Sequence, residues 1–195
     1  MNIAVLASGR GSNFSAIARA VKKGKIKANL SLLVCDNPQA AVIAKAKRAK
    51  VKVALVKRES CKDKQDFENR IIKFLEEEKI DLIVLAGFMR ILSNNFVQRF
   101  KNKIINIHPS LLPSFKGAHA IKDAFSHGAK VTGVTVHFVD ELMDHGPIIL
   151  QQAVEIKEDD TPFSLEEKIH KLEHRLYPRA IRLFIENKLE VNRPA

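Results

Sequence analysis

Asn2-Ile3-Ala4-Val5-Leu6-Ala7-Ser8-Gly9-Arg10-Gly11-Ser12-Asn13 decides the fold. Residues 2–7 make a short apolar run without alternation, the pattern of a strand buried on both faces. Gly9 and Gly11 permit a tight turn, and Ser12 or Asn13 is expected to cap a helix whose apolar face is Phe14, Ile17, Ala18 and Val21. Amide hydrogens at such a helix start converge on an anion, most often a phosphate. The stretch lacks the Gly-Lys-Ser/Thr ending of a nucleoside triphosphate loop. A dinucleotide fingerprint would need its third glycine where Phe14 stands, although Asp36 could imitate the ribose-binding acid. A strand-to-helix turn without a ligand stays open as the alternative.

Working outward, residues 30–35, 51–56 and 82–86 read as further strands, and residues 39–50 as an alanine-rich helix. Residues 62–79 predict a helix with the core stripe Phe67, Ile71, Phe74 and Leu75. Strands alternating with helices predict an α/β fold: a mostly parallel central sheet with helices on both faces and ligands beyond the carboxyl ends of the strands. A short helix is expected to end near His127-Gly128, after which residues 131–139 and 148–156 read as an antiparallel pair. Thr161-Pro162-Phe163-Ser164 then opens a long helix through Ile185, with Leu165, Ile169, Leu172, Leu176, Ile181 and Phe184 buried. Pro178 is expected to kink or restart that helix, and the last five residues to fray. No internal repeat or linker divides the 195 residues, so a single domain over 1–195 is expected.

No apolar run approaches the roughly 18 residues of a membrane helix, and no signal peptide precedes the glycine loop, so a cytoplasmic protein without a membrane partner is expected. Cys35 and Cys61 have no metal-ligand spacing and read as unpaired structural thiols. The formal net charge of +11 raises the question of nucleic acid. Lys22, Lys23, Lys25 and Lys27 surround one helix end, and Lys45, Lys47, Arg48, Lys50 and Lys52 decorate another. Neither group is interleaved with aromatics, so the basic residues read as dispersed and nucleic acid is not the expected partner; such a surface equally steers small anions.

The chemistry concentrates in Ile104-Ile105-Asn106-Ile107-His108-Pro109-Ser110-Leu111-Leu112-Pro113. Pro109 stops the strand at His108. Asn106 and His108, two apart, share one face, with Ile105 and Ile107 on the other. An amide that donates beside an imidazole that takes or gives a proton suits a reaction that builds negative charge on oxygen. A carboxylate in the acidic loop after residue 139, such as Asp144, would orient His108 and stabilise its charged form. In residues 131–139, Thr135, His137 and Val139 share a face that should look toward a site. There is no serine elbow, and His119, His127, His137, His145, His170 and His174 have no zinc spacing, so they read as surface or packing histidines and no metal is expected. Direct attack of a substrate nucleophile on a carbonyl is the economical mechanism.

Asn106-Ile107-His108-Pro109-Ser110-Leu111-Leu112-Pro113, with Gly9-Arg10-Gly11-Ser12-Asn13, Ala86-Gly87-Phe88-Met89-Arg90-Ile91-Leu92 and Asp144-His145-Gly146-Pro147-Ile148, closely resembles the phosphoribosylglycinamide formyltransferases, folate-dependent enzymes of purine synthesis. The resemblance runs from residue 2 to about 185 and implies a Rossmann-like formyltransferase fold. It further implies transfer of the formyl group of 10-formyltetrahydrofolate to the amine of 5-phosphoribosylglycinamide. A formyltetrahydrofolate hydrolase or another amine formyltransferase is the alternative. Asn106, His108 and Asp144 would be catalytic. Gly11, Ser12 and Asn13 would hold the sugar phosphate, and Glu173 would lie near the amine. Lys64, Met89, Arg90, Ile91, Leu92 and Asn106, with Asp140, Glu141, Leu142, Met143 and Asp144, would contact the folate. The partners implied are these two small molecules, and a homodimer is compatible with the resemblance. Leu142 departs from the glycine common in that loop, which bears on the loop's backbone angles.

Overall fold

The computed structural model describes residues 1–189; the expected fraying of the last five residues falls outside them. Unalternating apolar runs become strands and amphipathic stretches become helices. In chain order these are β1 (Asn2–Leu6), α1 (Ser12–Lys22), β2 (Asn29–Cys35), α2 (Val42–Arg48), β3 (Lys52–Leu55), α3 (Lys64–Glu77) and β4 (Leu82–Leu85). There follow α4 (Asn94–Arg99), β5 (Ile104–His108), α5 (Ala120–Ser126), β6 (Val131–Phe138), β7 (Ile148–Glu155) and α6 (Pro162–Ile185).

One seven-stranded sheet runs β3-β2-β1-β4-β5-β6-β7. The first five strands are parallel, and β6 and β7 pair antiparallel. The expected mostly parallel sheet with an antiparallel C-terminal part is therefore what forms. Strand order reverses between β1 and β4, which opens a crevice at their carboxyl ends. The core lies on both faces: Ile3 and Val5 pack with Phe14, Ile17 and the apolar stripe of α6, while Ala4 and Leu6 pack with Phe67, Ile71, Leu75 and Phe96. Burying each of the larger side chains among these contributes about 1.5–3 kcal/mol.

Four expectations need correction. Gly11, not Ser12 or Asn13, is the N-cap of α1; its φ is 70°, and no side chain caps the helix. The expected helix over residues 39–50 shrinks to Val42–Arg48, because Asn37 starts a turn in which its side chain accepts the Gln39 N–H at 2.9 Å. Helix α6 does not restart at Pro178 but continues as one helix to Ile185. Proline removes one helical hydrogen bond there, but Leu176, Tyr177, Ala180 and Ile181 are all buried around it and hold both sides to the sheet. The lysine groups are only partly dispersed: Lys23 and Lys25 from the first and Lys45 from the second line one groove between α1 and α6, whereas the other six do not line it. Helix α4 went unanticipated, being only six residues capped by Ser93. Cys35 and Cys61 are buried and unpaired. Among the described residues no helix is long and apolar enough to cross a membrane.

Candidate active site

Strand β5 delivers Asn106 opposite His137 and His108 opposite Thr135 on β6. Pro109 then turns the chain, and β6 and β7 hold the turn. Thr135 Oγ1 donates to the Ser110 carbonyl at 2.7 Å and accepts from Leu112 N–H at 3.1 Å. Gln151 Nε2 donates to the Leu112 carbonyl at 2.9 Å. His108 is 4 % exposed. Its Nε2 donates to the Phe115 carbonyl at 2.8 Å, and its Nδ1 lies 3.4 Å from Asp144 Oδ2. Both ring nitrogens thus face oxygen atoms that can accept. Asp144 Oδ2 also accepts the Gly117 N–H at 2.9 Å.

His137, expected to be a packing or surface histidine, belongs to this cluster. Its Nδ1–H donates to the Phe138 carbonyl at 2.7 Å, which leaves Nε2 to accept from Asn106 Nδ2 at 3.3 Å. Burial pushes its pKa below the usual histidine range, against the pull of Asp144 3.8 Å away. A neutral ring with one fixed tautomer therefore aims the Asn106 amide. The sequence signal was present in the polar face of β6, where Thr135 and His137 alternate with Val134 and Val136.

The loop that carries Asp144 turns at that residue. Asp144 has φ 49°, whereas Leu142 is not among the left-handed residues, so the departure at 142 leaves the loop's backbone unstrained there. Closure depends on Gly146: a Cβ at that position would sit 2.0 Å from the Phe138 carbonyl oxygen.

Two strands away, about 10 Å across the sheet, β1 ends in the Gly11 loop. A Cβ on Gly11 would meet Val42 Cγ2 at 2.4 Å, so only glycine serves both the left-handed φ and the close approach of α2. The uncapped start of α1 leaves amide hydrogens free for an anion. Asn13 Nδ2 donates to Glu173 Oε2 at 2.9 Å, while Asn13 Oδ1 is buried without a partner among the described residues. Glu173 is 6 % exposed; burial raises its pKa to about 7, opposed by the Asn13 hydrogen bond. Tyr177, one turn further on, is fully buried and donates to the carbonyls of Leu85 and Ile105 at 2.7 and 3.1 Å. That anchor ties the middle of α6, one turn after Glu173, to β4 and β5.

Between these two ends lies the Gly87 segment, which leaves β4 beside Asn106, the pairing partner of Leu85. Ser8 Oγ accepts the Met89 N–H at 2.9 Å, and Arg90 Nε meets Asp36 Oδ2 at 2.6 Å. Asp36, the possible ribose-binding acid, is thus bound to Arg90. Buried Glu68 accepts Ser93 N–H at 2.7 Å, which fixes the far end of the segment. Lys64, exposed, lies one turn before Glu68 on α3. Met89 and Ile91 are each 72 % exposed, and Leu142 and Met143 are more than half exposed. Leu92 packs partly against the α3 face of the sheet. Asp140 accepts from His145 Nδ1 at 2.7 Å and Leu142 N–H at 3.0 Å, and Glu141 bonds Gln98. Sequence reasoning missed Thr135's anchoring role, Gln151, Glu68 and Tyr177, whose importance lies in long-range partners. Among the described residues no group of three or more His, Cys, Asp or Glu side chains is placed to hold a metal.

Residues 1–181 match the formyl transferase family. The chain is 49 % identical over 179 residues to a phosphoribosylglycinamide formyltransferase of Bacillus subtilis (strain 168), covering 92 % of both chains. Two crystal structures have closely similar backbones. The glycinamide ribonucleotide transformylase 1 of Symbiobacterium toebii matches with TM-score 0.93 and 41 % identity, covering 96 % of this chain and 88 % of that one. The corresponding Geobacillus kaustophilus protein matches with TM-score 0.92 and 45 % identity, covering 94 % and 97 %.

Proposed function

The chain belongs to the formyl transferase family, and from that premise we propose that it transfers the formyl group of 10-formyltetrahydrofolate to the amine of 5-phosphoribosylglycinamide in purine synthesis, as the name of its 49 %-identical relative implies. The observation that carries the reading is the convergence of Asn106, His108 and Asp144 at one end of the crevice and of Gly11, Asn13 and Glu173 two strands away. Amides at the start of α1 would hold the phosphate. Glu173 and the unpartnered Asn13 Oδ1 would then accept hydrogen bonds from the rest of that substrate. The exposed side chains of Met89, Ile91, Leu142 and Met143 would be covered by the pteridine, with Arg90, Leu92, Asp140 and Glu141 framing it and Lys64 at its outer end.

In the reaction the amine nitrogen bonds to the formyl carbon, and the carbonyl electron pair moves onto oxygen. Asn106 Nδ2 donates to that oxygen, oriented by His137, and His108 Nε2 donates once the ligand replaces the Phe115 carbonyl. Asp144, 3.4 Å from Nδ1, orients the imidazole. Collapse of the intermediate breaks the bond to the folate nitrogen, which receives the proton lost by the attacking amine. An oxyanion donor contributes about two to three orders of magnitude in rate, and proton transfer about two to four.

The test is a product assay with purified protein and both substrates. Formylated glycinamide ribonucleotide should form in step with tetrahydrofolate, and omitting the acceptor should stop turnover. Formate release without the acceptor would replace this reading with a hydrolase.

A further inference from the structure

A concavity of about 740 Å³ lies apart from the cluster around His108. It is the groove between α1 and α6, closed on one side by Lys45 of α2, and it meets the Gly11 loop only at Ser12. Its walls carry Arg19, Lys23, Lys25, Lys45, Arg175 and Arg179, and no acidic side chain. None of these six is in an ion pair with a described carboxylate; Arg182, on the same rim, has Glu186 at 4.0 Å. His174 also lines the groove, its Nε2 buried without a partner among the described residues. Burial holds His174 below the usual histidine range, and the positive charges of His170, Arg19 and Lys45 push it further down.

Complementing helix dipoles accounts for part of this set. Arg19 and Arg182 lie in the last turns of their helices, where cations are favoured. Arg175 and Arg179 lie mid-helix on α6, and that explanation does not reach them. Concentrating like charge in a concavity raises the local potential and costs stability unless an anion compensates. From Ser12 to Lys23 the groove runs about 16 Å along α1, far longer than one phosphate group. The lining has no phenylalanine or tyrosine on which a nucleic-acid base could stack. Its volume falls within the range of small-ligand pockets, about 300–1,000 Å³.

We infer that the α1/α6 groove is a second anion site, adjoining the substrate phosphate loop at Ser12 and running away from it along α1 and α6, that takes a small molecule bearing several closely spaced phosphates. The shared chemistry is the phosphate chain; an inorganic polyphosphate and a nucleoside polyphosphate both supply it. The inference does not depend on the formyl-transfer reading.

Calorimetric titration with inorganic tripolyphosphate tests it. Binding should weaken at least about tenfold between 50 and 200 mM salt, since several cations release or exchange counterions. Arg175→Ala/Arg179→Ala, both surface positions, should weaken it at least about tenfold again, while Arg175→Lys/Arg179→Lys keeps most of the affinity. Adenosine triphosphate binding tighter than tripolyphosphate identifies a nucleotide as the source, and equal affinity identifies the phosphate chain itself. The inference is overturned by absence of binding at millimolar tripolyphosphate, or by equal binding to the alanine pair. It is equally overturned if a single-stranded oligonucleotide of matched charge binds more tightly than either phosphate compound.

Discussion

At one end of the crevice the Gly11 loop is shaped by backbone packing: a left-handed glycine lies against Val42, and Asn13 is tied to a buried glutamate on α6. At the other end, the loop over residues 140–146 is shaped by side chains near its surface, with Asp140 gathering His145 and Leu142 N–H while Leu142 and Met143 stand in solvent. Only Asp144 and Gly146 of that loop are committed inward. An anion cradle made of amides must exist before the ligand arrives, because its donors are part of the helix start. A wall of exposed apolar side chains completes its packing only when a ligand covers it. The two ends should therefore respond differently to substitution, the first through folding and the second through binding.

The largest expected effect falls between the ends. His108→Ala should lower kcat by about a hundredfold to ten-thousandfold, with both KM values nearly unchanged, read from steady-state formyl transfer. An equal loss in kcat from changes at either binding end would erase the distinction drawn here. Next, Gly11→Ala should destabilise the fold by about 3 kcal/mol in urea denaturation, from backbone strain together with the collision with Val42. Wild-type stability in that variant would mean the cradle adapts rather than preexists.

Glu173 sharpens the first end through pH. Folded, it keeps its proton up to about 7, whereas unfolded it releases it near the ordinary glutamate value. The folded state therefore binds more protons between these values, so this group's contribution to stability is fully present below about 4.5 and is lost as pH rises through about 7. Glu173→Gln should match wild type at low pH and become more stable than it by up to about 3 kcal/mol above neutrality. A pH-independent difference would remove the buried carboxyl from the account. His137 runs the other way: its depressed pKa opposes folding as pH falls below the usual histidine value, and a His137→Gln variant should lose that acid sensitivity in the same denaturation series. The smallest effect belongs to the second end. Met143→Ala should leave stability within about 0.5 kcal/mol while raising the folate KM several-fold.

How much of this was legible in the sequence follows the same division. The alternation of apolar runs with amphipathic helices, and the glycine and proline punctuation after β1 and β5, are local signals, and they placed the sheet and the turn at Pro109. Asn106 and His108 could be paired because a strand's two-residue period is also local. What stayed hidden depends on distant contacts. Tyr177 matters through carbonyls on β4 and β5, 92 and 72 residues away. Glu68 matters through Ser93, and the cationic groove exists only because α1, α2 and α6 converge. A restart at Pro178 was expected because helix propensity was weighed without the burial that holds both of its sides. Gly11 was expected to turn the chain, but its role as N-cap became visible only with Val42 packed against it.

The site as a whole depends on the carboxylate of Asp144 holding the His108 imidazole in its working orientation beside Asn106. Single-turnover formyl transfer by Asp144→Asn tests it most directly, because asparagine can still accept the Gly117 N–H but carries no charge. The rate should fall at least about a hundredfold below wild type at an unchanged thermal midpoint. A rate within twofold of wild type, in protein that folds normally, would contradict it.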